Sequence, residues 1–241
     1  MRSYKIPIFS IVALTVLCAC SPMEHYIVPG YVSEYWFLQE SNDISVNGDD
    51  VENGILSIKL PAHISRSVNA TNYGKKHKKK EYYRLCRKFD DMYYNQYVQE
   101  PAVGNIMWNN VHAIADVITD IKIVSDDDWD ASHPKGALLN DLFSVKCETI
   151  YPYIKSRYTA ESVFTSIDKP LPDIVESDLT LLQRMSYGYY NESPHYWVQT
   201  SYCFLEFYTD RLPASPIQSL HIALTTDEGK TLEYSVELDL H

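Results

Sequence analysis

Residues 220–240 read LHIALTTDEGKTLEYSVELDL. Leu220, Ile222 and Leu224 alternate with His221, Ala223 and Thr225. After Asp227-Glu228-Gly229-Lys230, Leu232, Tyr234, Val236, Leu238 and Leu240 alternate with Thr231, Glu233, Ser235, Glu237 and Asp239. Successive side chains of a strand point to opposite faces, so each run carries an apolar row on one face and a polar row on the other. The short break between the runs holds Gly229, which enters positive φ without steric cost. The stretch is therefore an antiparallel hairpin with one buried face.

Working outward, residues 196–208 (YWVQTSYCFLEFY) and 117–124 (VITDIKIV) read as strands, and 31–39 (YVSEYWFLQ) is aromatic and strand-like. In residues 55–64, Leu56, Ile58, Leu60, Ala62 and Ile64 line one side, and Pro61 marks an edge or a bulge. Asn47-Gly48 is a turn signal. Residues 69–80 form a polar loop ending in the basic run 75–80. In residues 81–97, Tyr82, Leu85, Cys86, Phe89 and Tyr93 fit one face of a helix, but the wealth of Tyr and Phe favours a strand. Residues 136–147 predict a short helical turn and then a strand; Pro172 and the acids after it predict a short helix over 173–185. Many short strands separated by turn signals predict a mainly β chain: a single immunoglobulin-like β-sandwich over 31–241, with one or two short helices.

The opening residues carry an address. Arg2 and Lys5 precede an apolar run over 6–16, broken by Ser10 and Thr15. A permanent span needs about 20 apolar residues, and this run fits the apolar region of a secretory signal instead. Leu17-Cys18-Ala19-Cys20 resembles the bacterial lipobox. The resemblance implies a signal peptide over 1–19, a diacylglycerol thioether on Cys20, and a lipidated tether over 20–30. The membrane is thus the expected partner, and Ser21 implies the outer membrane.

The formal net charge is −11, and loss of Arg2 and Lys5 makes the remainder more acidic still. Nucleic acid attracts Lys/Arg-rich surfaces, so it is excluded as a partner. Beyond Cys18 and Cys20 stand Cys86, Cys147 and Cys203. An odd number allows at most one disulfide among them, and with no CxxC or zinc spacing they read as small buried residues.

Few residues offer chemistry. Asp126, Asp128 and Asp130 have the 1,3,5 spacing of a calcium loop, but Ala131 and Ala137 stand where its Gly and Glu belong. The chain holds 20 Tyr, 7 Phe and 4 Trp. Tyr187, Tyr189, Tyr190, Tyr196 and Trp197 gather around Gly188 and Pro194, a candidate platform for stacking sugar rings, although aromatics also fill sandwich cores. No nucleophile elbow, metalloprotease or phosphate-loop motif occurs. His112 with Asp116, and His133 with Asp130, are the closest pairings of histidine and acid, and His195 adjoins Tyr196. None calls for a cofactor.

Residues 118–143, ITDIKIVSDDDWDASHPKGALLNDLF, resemble a segment of a family of uncharacterised lipoproteins from Bacteroides-type bacteria. The matching positions are Ile118, Ile121, Ile123, Ser125, Asp128, Trp129, Asp130, Gly136, Asn140, Asp141 and Leu142, whereas 66–115 departs from the family's pattern. The resemblance implies an envelope location and a sandwich fold, and it brings no catalytic residues. The expected function is a membrane-anchored, non-catalytic binding or accessory module whose partner is a glycan or another envelope protein. A structural subunit of an envelope assembly and a hydrolase with an unrecognised site are the alternatives.

Overall fold

The computed structural model describes residues 25–39, 45–46, 54–69, 76–99, 106–107, 111–187 and 201–240. Strands β1 (His25–Val28), β2 (Glu34–Leu38), β3 (Ser45–Val46), β4 (Leu56–Pro61) and β5 (Ile64–Asn69) precede helix α1 (Lys76–Lys88). Then come β6 (Gln96–Gln99), β7 (Ile106–Met107), β8 (His112–Ile114), β9 (Ile118–Ser125), β10 (Ser144–Thr149) and the short helix α2 (Tyr151–Lys155). Last are β11 (Thr165–Pro170), β12 (Met185–Tyr187), β13 (Ser201–Thr209), β14 (Ile217–Thr226) and β15 (Thr231–Asp239).

The chain is a mainly β sandwich. The terminal hairpin forms as its alternation requires: β14 and β15 pair from Ile217↔Asp239 to Thr225↔Thr231, and Gly229 sits at φ 76°. β9 adds to the free side of β14. The facing sheet runs β11-β10-β13-β4-β3, with β12 beside β13. Leu220, Ile222 and Leu224 of β14, and Leu232, Tyr234, Val236 and Leu238 of β15, share one core with Ile58, Val145 and Phe207 of that facing sheet. Each such side chain contributes about 1.5–3 kcal/mol when fully buried. Pro61 marks a bulge: β13 shifts register between Cys203 and Leu205, opposite Pro61 and Leu60. The alternating run over 55–64 is not one strand, however. It breaks after Pro61, and Ile64 opens β5 in another sheet.

That other sheet, β5-β2-β8, carries a second core. Here α1 replaces the strand expected after residue 80 and takes in most of the basic run. Tyr82, Leu85, Cys86 and Phe89 are buried at helical spacing and pack with Tyr35, Phe37 and Val68. The helix closes in a Schellman motif: Asp91 N–H donates to the Cys86 carbonyl (2.7 Å) and Asp90 N–H to that of Arg87 (3.3 Å). Asp90 supplies the left-handed residue at φ 63°, a conformation that Asp tolerates better than most side chains. Arg87 and Lys88 complement the negative end of the helix dipole.

The turn aims Asp91 back at the start of β2. Its carboxylate accepts from Tyr31 N–H (2.7 Å), Val32 N–H (3.0 Å), Tyr35 OH (3.0 Å) and Tyr158 OH (2.9 Å). Burial pushes its pKa up, and these donors oppose the shift. Gly30 is required beside it, because a Cβ there would lie within 2.8 Å of Asp91, Cys86 and Tyr82.

Two further expectations are corrected. Residues 173–185 form no single helix; 3₁₀ turns at Leu171–Asp173 and Glu176–Leu179 precede β12. Pro170 and Pro172 withhold N–H donors at the start, Asp178 caps the Val175 N–H (3.0 Å), and Leu171, Leu179 and Leu182 each plug the sandwich core from an irregular backbone. The end of the stretch read as a tether is strand β1, which pairs with β6 in a small sheet with β7.

The two cores are fastened together. Leu182 accepts from Ile114 N–H (2.9 Å) and bridges to Thr149, joining β8 to the end of β10. The hairpin turn reaches α1 and β2: Asp227 pairs with Lys88 (2.7 Å) and Lys230 Nζ donates to the Leu38 carbonyl (2.7 Å).

Candidate functional site

The fold exposes an aromatic groove at the seam beside Leu182. β2 alternates: Tyr35 and Phe37 enter the second core, while Glu34 and Trp36 are only half-buried. β8 pairs with β2 in parallel, placing His112 opposite Glu34. Gln183 and Arg184, just before β12, and Tyr202 of β13 form the adjoining wall, and Phe164 closes the rim. Phe164 and Tyr202 are 47% and 39% exposed, which makes their rings accessible to a ligand.

Arg184 organises the groove. Its guanidinium lies 3.9 Å from the ring centre of Tyr202 and 5.0 Å from that of Trp36. The Trp36 ring also carries His112 at 4.5 Å. Burial holds the His112 pKa below its ordinary value, the nearby Arg184 charge lowers it further, and Glu34 at 3.6 Å opposes both. The groove combines flat apolar rings with convergent polar groups, the usual composition of a small-ligand site.

The expected sugar platform lies mostly beyond the described residues. Tyr187 ends β12, and Tyr189, Tyr190, Tyr196, Trp197 and His195 fall outside them. Tyr187 pairs with Ser201, and Ser186 with Tyr202, which lines the groove.

The calcium reading is corrected. Asp126, Asp128 and Asp130 do not converge, and among the described residues no group of three or more His, Cys, Asp or Glu is placed to hold a metal. Each carboxylate serves its own partner: Asp126 meets His221 (2.9 Å), Asp128 accepts from Lys135 N–H (2.7 Å), and Asp130 accepts from Ser132 N–H (2.7 Å) and His133 N–H (2.9 Å). The bonds of Asp130 are loop-fixing contacts of the Asx type. His133 is held between Asp130 (2.8 Å) and Asp141 (3.2 Å), and its bond to Asp130 raises its pKa. His112 and Asp116 are not brought together; Asp116 instead accepts from Leu38 N–H (2.7 Å). Cys86, Cys147 and Cys203 are buried free thiols, each pushed up to about 12 chiefly by burial. Thiols held protonated in this way are poor nucleophiles.

The structure also shows a hydrogen-bonded chain that the sequence conceals. On the outward face of the β9-β14-β15 sheet, His221 Nδ1 meets Ser235 Oγ (2.9 Å) and Nε2 meets Asp126 (2.9 Å). The hydrogen bond to His221 holds Asp126 below its ordinary pKa. The hairpin register alone sets Ser235 opposite His221.

Nothing in the sequence singles out Trp36, Arg184 or Tyr202. The alternation around Trp36 is visible there, but the parallel β2–β8 pairing that sets His112 beside it is not. Among the described residues, no helix is long and apolar enough to cross a membrane. Comparisons with protein-family models, with curated proteins and with solved structures find no match.

Proposed function

We propose that this chain is an exported lipoprotein, held to the outer membrane through Cys20, whose globular part binds glycan in the groove of Trp36, Phe164 and Tyr202. The carrying observation is that groove: exposed rings beside Arg184, Gln183 and His112 at a seam between two sheets. A sugar offers C–H faces to aromatic rings and hydroxyls to polar neighbours, and both are present here. The location rests on the resemblance of residues 17–20 to a lipobox and of 118–143 to an envelope lipoprotein family.

Titration of the full chain with soluble oligosaccharides is expected to change Trp fluorescence saturably. Phe164→Ala and Tyr202→Ala, both at exposed positions, are each expected to weaken binding about tenfold, the order of a lost aromatic contact. Absence of saturable binding across neutral and acidic oligosaccharides overturns the reading.

The Ser235–His221–Asp126 chain favours a second reading, a hydrolase in which His221 draws the proton from Ser235 and Asp126 steadies the imidazolium. It sits on an open sheet face beside Glu237, a poor place to exclude water. A fluorophosphonate probe decides: covalent labelling of the wild type that Ser235→Ala abolishes supports the hydrolase, and an unlabelled wild type removes it.

A further inference from the structure

We infer that the groove selects sugars bearing an oxyanion, a carboxylate or a sulfate ester, and that Arg184 is the residue that reads it. The inference rests on the glycan-binding reading above and narrows it to a substrate class.

The argument begins with the stacked arginines. Arg66 lies 3.6 Å over Phe37 and Arg157 3.8 Å over Tyr93. Each also holds a carboxylate: Arg66 pairs with Glu81 at 2.6 Å and Arg157 with Asp90 at 3.4 Å. Arg184 stacks on two rings, Tyr202 and Trp36, and forms no ion pair with any of the described residues. Glu34, opposite His112 on β2, lies 3.6 Å from that ring.

A guanidinium carries its N–H donors in one plane, where they form a rigid fork. The two rings hold Arg184 by cation–π contact and supply no oxyanion to that fork. The natural complement of that fork is a planar oxyanion taken up by two parallel hydrogen bonds. The same rings that hold Arg184 border the groove, and Phe164 supplies a further exposed ring for the sugar itself. Anion and sugar face therefore arrive together, which points to an acidic glycan in preference to a free ion.

The surrounding charge makes this selective. The chain is strongly acidic at −11, so long-range forces disfavour anions in general. An anion gains a foothold only where a cation is both uncompensated and fixed in geometry. At His112, burial disfavours the protonated ring and the Arg184 charge adds to this, against the pull of Glu34.

The test is a calorimetric titration of the full chain with three oligosaccharides of equal length: a uronic-acid oligomer, a sulfated oligomer and a neutral one. Wild type is expected to bind one or both acidic oligomers about 10- to 100-fold more tightly than the neutral one, the range for a charged hydrogen-bonded contact. Arg184→Gln is expected to abolish that preference. Arg184→Lys, which keeps the charge but loses the fork, is expected to restore only part of it. The two acidic arms distinguish carboxylate from sulfate. Equal affinity for acidic and neutral oligomers, or a preference that survives in Arg184→Gln, overturns the inference and leaves glycan binding standing. No binding of any oligomer overturns both.

Discussion

Asp91→Ala is expected to destabilise the protein by about 3–5 kcal/mol, as measured by equilibrium denaturant unfolding. The carboxylate is buried, and it is the common acceptor for Tyr31 N–H, Val32 N–H, Tyr35 OH and Tyr158 OH. Tyr158 can turn to water, but the two backbone donors lie in a buried segment where an unmet N–H carries its full desolvation cost. The truncation also parts the cap of α1 from the start of β2, and it leaves a void beside Gly30. Asp91→Asn keeps the shape and removes the charge, so its loss is expected to be smaller. Its pH behaviour is diagnostic. Burial raises the Asp91 pKa above 3.8 in the folded state, so folding takes up a proton there. The wild type therefore has its full advantage below about pH 4 and loses it as pH rises through the folded-state value. The Asn variant lacks this decline. A loss under about 1 kcal/mol for Asp91→Ala would show that the network is dispensable.

The second large effect concerns location. Cys20→Ala is expected to move the protein from the membrane fraction to the soluble exported fraction and to abolish labelling by a fatty-acid probe. Each buried methylene contributes about 0.8 kcal/mol, and two or three acyl chains together make the anchor stable where one would not. Among the described residues no helix could replace it. Retained labelling in the variant would sink the lipoprotein reading, and membrane retention without label would point to a protein partner. The groove and its ligand can be tested independently of this result.

What is legible in the sequence follows from periodicity. The rows Leu220–Leu224 and Leu232–Leu238 fit only a one-sided hairpin, and the strand at Ile118–Ser125 announces itself in the same way. Gly136 and Gly229 both adopt positive φ, at 76°. Several positions between 118 and 143 have structural duties. Asn140 bridges the β9 backbone at Ile121 and Ile123, and Trp129 is buried with its indole N–H on the Arg211 carbonyl (3.0 Å). Helix α1 reads wrongly as a strand because its face is built from Tyr82 and Phe89, residues with strong strand propensity. The spacing of Tyr82, Leu85, Cys86 and Phe89 is the better guide, since tertiary packing overrides propensity. Around Leu171–Leu182 the prolines forbid a regular helix, and no period survives to be read. The groove is illegible for a different reason. Trp36, Phe164, Arg184 and Tyr202 come from distant segments, and the register that assembles them is not written in any one of them.

The fastening of early strands by late ones has a consequence for biogenesis. β4 finds its long partner only in β13, β9 finds its own in β14, and the Lys230 bond to Leu38 closes a separation of 192 residues. A nascent chain emerging from the ribosome thus cannot complete either sheet of the sandwich until its last segments exist. Such non-local topologies fold slowly. On the lipoprotein reading proposed above, this delay would be an asset, because a chain still unfolded can be threaded through export machinery.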